Sequence, residues 1–563
     1  MIYTLYWKIM TLANSAKNAL KKKLGTKRLF YVCRDIERAE ASLLLGLNNF
    51  YIISNDSYYG RQLSKKNHHI ILIKEKRILD TRELLTSAAA KKIIRRFDNI
   101  MVFKPTAQIE ETCRERGWKL LNPPAALAGQ VEEKISQVKW LGKLKKYLPL
   151  EKIDILKSIK WKSRKFILQF NRAHTGSGTI LIDSRVKLDK LKQQFPSREA
   201  RVSRFVDGPC FTVNCLVWGK RVLAGNISYQ ITGLKPFTDN PFATIGNDWT
   251  LPKTLLSKKQ ITEIKKIADE VGKKLRADDW QGLFGIDISL DSRTGRVYLI
   301  EINARQPAST SFESILQNDV HTKNGATIME AHLMALLNCP PKKFQLIKIS
   351  NGAQLVQRVT AATPHLTEPY LYKPTKFKHI RYENIKPDSD LMRVQTRFGI
   401  MESHNNLNEH GNELSIFIRS GKTKRIFNGP RAGMIIIKNG RLLCIERDRF
   451  GYHYFTLPGG TLENREKEQE TARREILEET GLKIGIDVTK TPIVVEGSRH
   501  ETYFWAEKAK GRVRLGGPER ERNTNGNHYS LKWIKISDIK KINLLPSELK
   551  KGLIKIFRKY AFA

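Results

Sequence analysis

The chain has 563 residues, with 100 Lys and Arg against 56 Asp and Glu, a formal charge of +44. At 40% apolar and 28% charged residues it reads as a soluble chain of three to four domains, and no run approaches the roughly 18 apolar residues of a membrane-spanning helix. Such a positive field attracts polyanions (nucleic acid, anionic lipid or nucleotide phosphates). The clusters Lys17–Lys23, Lys139–Lys146 and Lys157–Lys165 lie in no binding motif, however, so a lysine-rich solvated surface is the plainer reading. The six cysteines are scattered without a Cys-x-x-Cys pair. That pattern excludes an obvious zinc site or disulfide framework and suits a reducing cytoplasm.

Residues 1–27 read as a short lead-in helix, since Lys8 interrupts the apolar start and no basic region precedes it as in a signal peptide. From Arg28 short apolar strands alternate with helical stretches: strands at Leu29–Cys33, Tyr51–Ser54, Ile70–Ile73 and Ile100–Phe103, helices at Glu37–Leu45 and Arg82–Phe97. That alternation predicts a small parallel α/β domain over 28–125. A helix follows through Gln130–Tyr147, then strands at Phe166–Phe170, Gly178–Asp183, Arg201–Phe205 and Phe211–Val217. The helix Lys259–Leu275 precedes strands Leu283–Leu290 and Val297–Ile302, joined by a turn at Asp291–Gly295, and a further helix over Ala326–Leu337 closes a domain at about 126–340. Residues 341–427 carry strands and polar turns, a β-rich extension or linker without recognisable chemistry. Ala432–Ile437 and Leu442–Glu446 read as a hairpin leading into a last domain over 428–563, with His500–Ala506 and Leu531–Ile536 as later strands.

In that last domain, Glu475, Glu478 and Glu479 stand at i, i+3 and i+4 of a helical stretch, so three carboxylates share one face. Alone the cluster repels itself; hard divalent cations make it favourable. Arg474 offers a planar fork that can hold Glu466, and Gly481 lets the chain leave the helix. The spacing is Gly460, five residues, Glu466, seven residues, then Arg474-Glu475-Ile476-Leu477-Glu478-Glu479-Thr480-Gly481-Leu482. It resembles the Nudix hydrolase signature at every specified position.

The resemblance implies Mg²⁺- or Mn²⁺-assisted hydrolysis of a nucleoside diphosphate linked to another group. It makes Glu478 and Glu479 principal ligands, Glu475 a ligand or base, and the Gly460 carbonyl a further ligand. Glu519 or Glu521 is the candidate for a distal acid from a later loop.

A second constellation lies upstream. Asp287 stands on one strand, and Glu301 and Asn303, two residues apart on the next, share a face. With Arg305, this Gly285-Ile-Asp287 … Glu301-Ile-Asn303-Ala-Arg305 pattern resembles the metal-binding hairpin of ATP-grasp enzymes, and the resemblance covers roughly residues 28–340.

It implies ATP and Mg²⁺ as cofactors, with Lys134 as a phosphate-contacting lysine. Gly176, Ser177, Gly178 and Thr179 belong to a glycine-rich phosphate turn, and Phe205 and Val206 lie at the adenine hinge. Gln169 stands where the family usually has a lysine, and Ser203 and Cys210 stand where glutamates commonly flank the hinge. The reaction implied is carboxylate activation by γ-phosphate transfer followed by attack of an amine, with Arg305 neutralising phosphate, orienting the carboxylate, or simply pairing with a surface acid.

The expected architecture is therefore multidomain α/β and α+β: a pre-ATP-grasp α/β domain, an ATP-grasp fold and a Nudix α/β/α sandwich with a mixed sheet. The alternatives are a Nudix hydrolase with a non-catalytic nucleotide-binding module, or a basic nucleic-acid-associated Nudix protein, although no RNA-recognition motif is present.

Overall fold

The computed structural model describes all residues except 1–13, 172–178, 321–324, 341–343, 361–376, 383–385, 421–429, 450–451, 464–465, 497–499, 508–510, 518–519, 521–526 and 561–563. The sequence expectations for Met1–Ala13, for Gly176, Ser177 and Gly178, and for Glu519 and Glu521 therefore fall outside the described residues. Two compact units divide near Asn408 and Glu409.

The first unit opens with the helix Asn14–Leu24, which buries Ala16, Leu20 and Leu24. A five-stranded parallel sheet follows, in the order Ile70–Ile73, Phe50–Asn55, Leu29–Val32, Asn99–Val102, Lys119–Leu120. Its central strand is apolar at every position because both faces are covered: Leu29 and Tyr31 join one core, Phe30 and Val32 the other. The stretch read as one helix over Arg82–Phe97 is two, Thr81–Thr86 and Ala88–Ile93. Ser87 adopts an extended conformation between them, and its hydroxyl accepts the Ala90 N–H at 3.2 Å as an N-cap.

The rest of this unit is built on two antiparallel sheets. The smaller orders Glu151–Ile155, Glu199–Arg204, Phe166–Phe170 and Thr179–Ile182. The larger has eight strands in the order Val297–Asn303, Gly282–Leu290, Cys210–Trp218, Arg221–Thr232, Thr244–Asp248, Ala353–Arg358, Asp390–Thr396 and Lys378–Arg381. Its last three strands come from the segment read as an extension, and they continue the same sheet. Asp248 reinforces this continuity: its carboxylate accepts the N–H groups of Thr250, Leu251, Ile400 and Met401. The helix Lys258–Ala277 starts at a Ser257/Gln260 capping box. It buries Ile264, Ile267, Ala268, Val271 and Leu275, an apolar stripe with helical period, each large side chain contributing about 1.5–3 kcal/mol. Gly272 lies so close to Val222 that a Cβ would overlap its methyl.

In the second unit, one sheet orders Gly459–Thr461, Arg431–Ile435, His500–Trp505 and Ile493–Glu496. The other pairs Arg441–Arg449 with Tyr452–Thr456 on one side and Asn527–Lys535 on the other. The stretches read as a simple hairpin at 432–437 and 442–446 belong to different sheets. Only Ile437–Lys438 pairs with the start of the second stretch, so the chain steps from one sheet to the other there. The helix Glu468–Thr480 packs through Ala472 and Ile476 against Ala432, Met434 and Leu443. On the opposite side the helix Ser547–Tyr560 buries Leu549 and Leu553 with Ile435, Leu442 and Cys444. Sheets thus lie between helices, and the alternation along each strand decides which helix a side chain meets.

Candidate functional sites

The acidic helix of the second unit ends in left-handed Gly481, φ +71°, whose N–H bonds Leu477 O. At its start the Glu470 carboxylate accepts the Lys467 N–H at 2.9 Å. Arg474 organises the face between these ends. Its Nε and Nη2 both donate to Glu466 at 2.9 Å, and Nη1 donates to Glu475 at 2.9 Å and lies 3.5 Å from Glu478. The Arg474 bonds, with the Thr471 hydroxyl, hold the Glu466 carboxyl down to about 2 despite partial burial. Glu475 behaves oppositely: burial raises its pKa, and the Arg474 charge only partly offsets this.

Glu479 is buried, and its Oε2 accepts the Gly459 N–H at 2.8 Å. Glu478 is 44% exposed, the most open of the three. The Gly459–Thr461 strand carries the helix's partner backbone: a Cβ on Gly460 would overlap the Glu475 carboxylate. The structure therefore brings Gly460, Glu466, Arg474, Glu475, Glu478 and Glu479 together around one strand–helix junction. Among the described residues, no three carboxylates, histidines or cysteines converge into a ready-made metal cage, and Arg474 bridges Glu475 and Glu478 instead. The donor set still fits a hard divalent cation, being all oxygen, and glycine at 460 lets the Glu475 carboxylate approach the backbone that carries the Gly460 carbonyl.

Sequence reasoning missed Arg431. It heads the strand beside Gly459–Thr461, donates Nη2–H to Leu457 O at 2.9 Å and lies 3.8 Å from Glu501. Burial opposes its charge, but Tyr503, Glu479, Glu501 and Glu475 outweigh burial and raise its pKa. A lone arginine opening an apolar strand was the signal available.

In the first unit, Asp287 is directly paired with Thr212 on one side and Glu301 on the other. Its Oδ1 accepts the Thr212 hydroxyl at 2.8 Å and Gln230 Nε2 at 2.7 Å, while Oδ2 accepts Asn303 Nδ2 at 3.1 Å. Burial, then the Glu301 charge, push its carboxyl up to about 6. Glu301 stays below its ordinary value because, against burial, it holds an ion pair with Lys134 and faces Arg305 and Arg201. Lys134, first residue of the helix Lys134–Leu141, is thus placed on the acidic hairpin itself. Arg305 reaches away, pairing with Glu132 at 3.1 Å, and Lys104 joins the same carboxylate.

Gln169 is buried and donates to the Thr179 hydroxyl at 3.1 Å. Directly across from it stands Arg201, 1% exposed and 3.9 Å from Glu151, a buried cation that the sequence reading passed over. Phe205 and Val206 are half-buried on the chain that continues past Arg204 to Gly208. There Asp207 O accepts the Ser292 N–H at 2.9 Å.

Residues 428–559 match the family described as NUDIX domain, and they form that domain in this chain. No curated protein sequence matches. Several solved structures are similar to the remainder. Carboxyaminoimidazole ribonucleotide synthase from Aspergillus clavatus, complexed with ATP, is 15% identical, with 70% of this chain and 98% of that one covered and a TM-score of 0.48. L-amino acid ligase from Bacillus licheniformis is 16% identical over 70% and 97%, TM-score 0.48. Biotin carboxylase from Campylobacter jejuni is 14% identical over 66% and 87%, TM-score 0.48.

Proposed function

We propose that the second unit is a divalent-cation-dependent hydrolase that splits the phosphoanhydride of a nucleoside diphosphate derivative. The observation that carries this is the Arg474 fork, which grips Glu466 and Glu475, the latter against Gly460, beside Glu478, the most exposed of the three acids. Glu478, Glu479 and the Gly460 carbonyl are the oxygens that would hold Mg²⁺ or Mn²⁺, with Glu475 either a further ligand or the base. The bound ion supplies charge neutralisation at the phosphates and a water of lowered pKa. Arg474 keeps Glu475 oriented, and the Gly459 N–H bond to Oε2 holds the Glu479 carboxylate in place. Glu475, raised by burial, suits the role of proton acceptor from an attacking water. Arg431 places a permanent positive charge behind the carboxylates and limits their mutual repulsion.

For the first unit we infer an ATP-dependent carboxylate–amine ligase. Asp287, Glu301 and Asn303 supply oxygens on one sheet face, with Lys134 beside them. Those residues suit holding Mg²⁺ against polyphosphate, and Lys134 suits charge stabilisation during transfer to a carboxylate.

The test uses the full chain. Mg²⁺-dependent hydrolysis of a panel of nucleoside diphosphate derivatives is expected, and Glu478→Gln should lower it by orders of magnitude. ADP release that depends on an added carboxylate and amine is expected too, and Glu301→Ala should abolish it. Undiminished hydrolysis by Glu478→Gln refutes the first assignment. Absence of carboxylate-dependent ADP release across a broad panel refutes the second, leaving a binding module.

A further inference from the structure

On the Arg441–Arg449 strand, Arg447 stands directly opposite Tyr454 on one neighbour and Tyr529 on the other. No register shift interrupts either pairing, so the three side chains form one row across the sheet. The guanidinium lies over the Tyr529 ring, 4.2 Å from its centroid, and 5.5 Å from that of Tyr454, and it donates Nη2–H to the Tyr529 hydroxyl. Tyr529 is buried and sets the plane of the guanidinium; Tyr454 is partly exposed. The Arg447 Nε is enclosed and has no hydrogen-bond partner among the described residues.

The row lies on the sheet face that packs, further along, against the hydrolytic helix. Leu443 and Trp533 are paired with each other and pack in the core that contains Ala472 and Ile476 of that helix. Arg447 and Tyr529 lie four residues along their strands from that pair, hence on the same face. The preceding pair, Ile445 and Leu531, is apolar, so the row is where this face turns from core to polar surface, about 7 Å further along. The partly exposed Tyr454 ring offers a π-face for stacking, and the guanidinium beside it keeps Nη1–H groups that can donate to acceptors at a ring's edge. Together they complement an aromatic ring bearing acceptor atoms at its edge.

We propose that Tyr454 and Arg447, backed by Tyr529, bind the nucleobase of the substrate whose phosphoanhydride is held at the Glu475–Glu479 helix. The row acts in binding, outside the bond-breaking step. This inference rests on the hydrolase reading above and adds to it the residues that select a nucleoside over a bare pyrophosphate.

The test is steady-state hydrolysis by the full chain with Mg²⁺ and ADP-ribose, GDP-mannose, UDP-glucose and CDP-choline, with inorganic pyrophosphate as a base-free inhibitor. For the best nucleoside probe, Tyr454→Ala and Arg447→Gln should each raise KM about tenfold, the loss expected for one base stack. The kcat should stay within about threefold, and Tyr454→Phe should stay within about twofold of wild type. Pyrophosphate inhibition should be unchanged, because that ligand has no ring. A fall in kcat at constant KM, an equal loss of pyrophosphate affinity, or unaltered KM would each overturn the assignment while leaving the hydrolase in place. Failure of the wild-type chain to cleave any probe would overturn both.

Discussion

The Glu475 carboxylate lies against the α-carbon of Gly460, in space that any side chain at position 460 would take. Glycine is required there for close approach, whatever its φ. Gly460→Ala should cost hydrolysis on the order of a hundredfold, the typical penalty for a displaced catalytic group. The far end of Glu475 can swing aside, so the thermal midpoint should move little. A kcat within threefold of wild type would show that the contact is incidental.

Arg474 serves Glu466 and Glu475 at once, so the effects of replacing the partners should not add. Arg474→Lys loses the two-pronged grip on Glu466 and should lower kcat about 10- to 100-fold. Glu466→Gln should do much the same, and the double variant should be scarcely worse than either single one. Additive losses in a double-mutant cycle would mean that the two residues act separately.

Glu313 is fully buried in the first unit, with no cation beside it among the described residues. Its carboxylate accepts Asn214 Nδ2 at 2.5 Å and, from Asn226, N at 3.0 Å and Nδ2 at 2.8 Å. Burial outweighs those bonds and pushes its pKa up to about 7. The folded chain therefore holds a proton that the unfolded chain gives up near its ordinary value. This contribution to stability is full below about pH 4.5, declines as pH rises toward 7 and is flat above. Urea midpoints should follow that curve. Glu313→Gln should flatten it, with Asn214 turning its amide to face the new NH₂. An unchanged pH profile in the variant would place the titration elsewhere.

Leu20 is completely buried beside Leu24 in the core shared with Leu216 and Trp218. Leu20→Ala should destabilise the first unit by about 2–5 kcal/mol. Mg²⁺-dependent hydrolysis at 25 °C should be unaffected. A loss below about 0.5 kcal/mol in denaturant titration would mean that the helix Asn14–Leu24 is dispensable.

Legibility in the sequence followed locality. The acidic helix, its Arg474 fork and Gly460 before it fall within 21 consecutive residues, and helical spacing alone puts the three acids on one face. The Asp287–Glu301–Asn303 arrangement was readable for the same reason, as a hairpin joined by a short turn. Arg431 and Arg201 escaped notice because their meaning depends on strand neighbours far away in the chain: Glu501 is 70 residues from Arg431, and Arg201 is opposed by Gln169. The long strand Arg221–Thr232 was passed over because glycine and asparagine interrupt its apolar alternation. Pairing with Cys210–Trp218 overrides that weak local preference. The step between sheets at Ile437–Lys438 has no local signature at all, since a tight turn between two apolar strands ordinarily means a hairpin.

The eight-stranded sheet of the first unit sets where this chain can be shortened. Ending it at 340, where the helical pattern stops, would strip Ala353–Arg358 from Thr244–Asp248 and expose a row of unpaired amides and carbonyls. Asp248 would at the same stroke lose the Ile400 and Met401 donors that accompany its burial. A fragment cut there should self-associate, whereas one reaching Asn408 keeps Thr244–Asp248 paired.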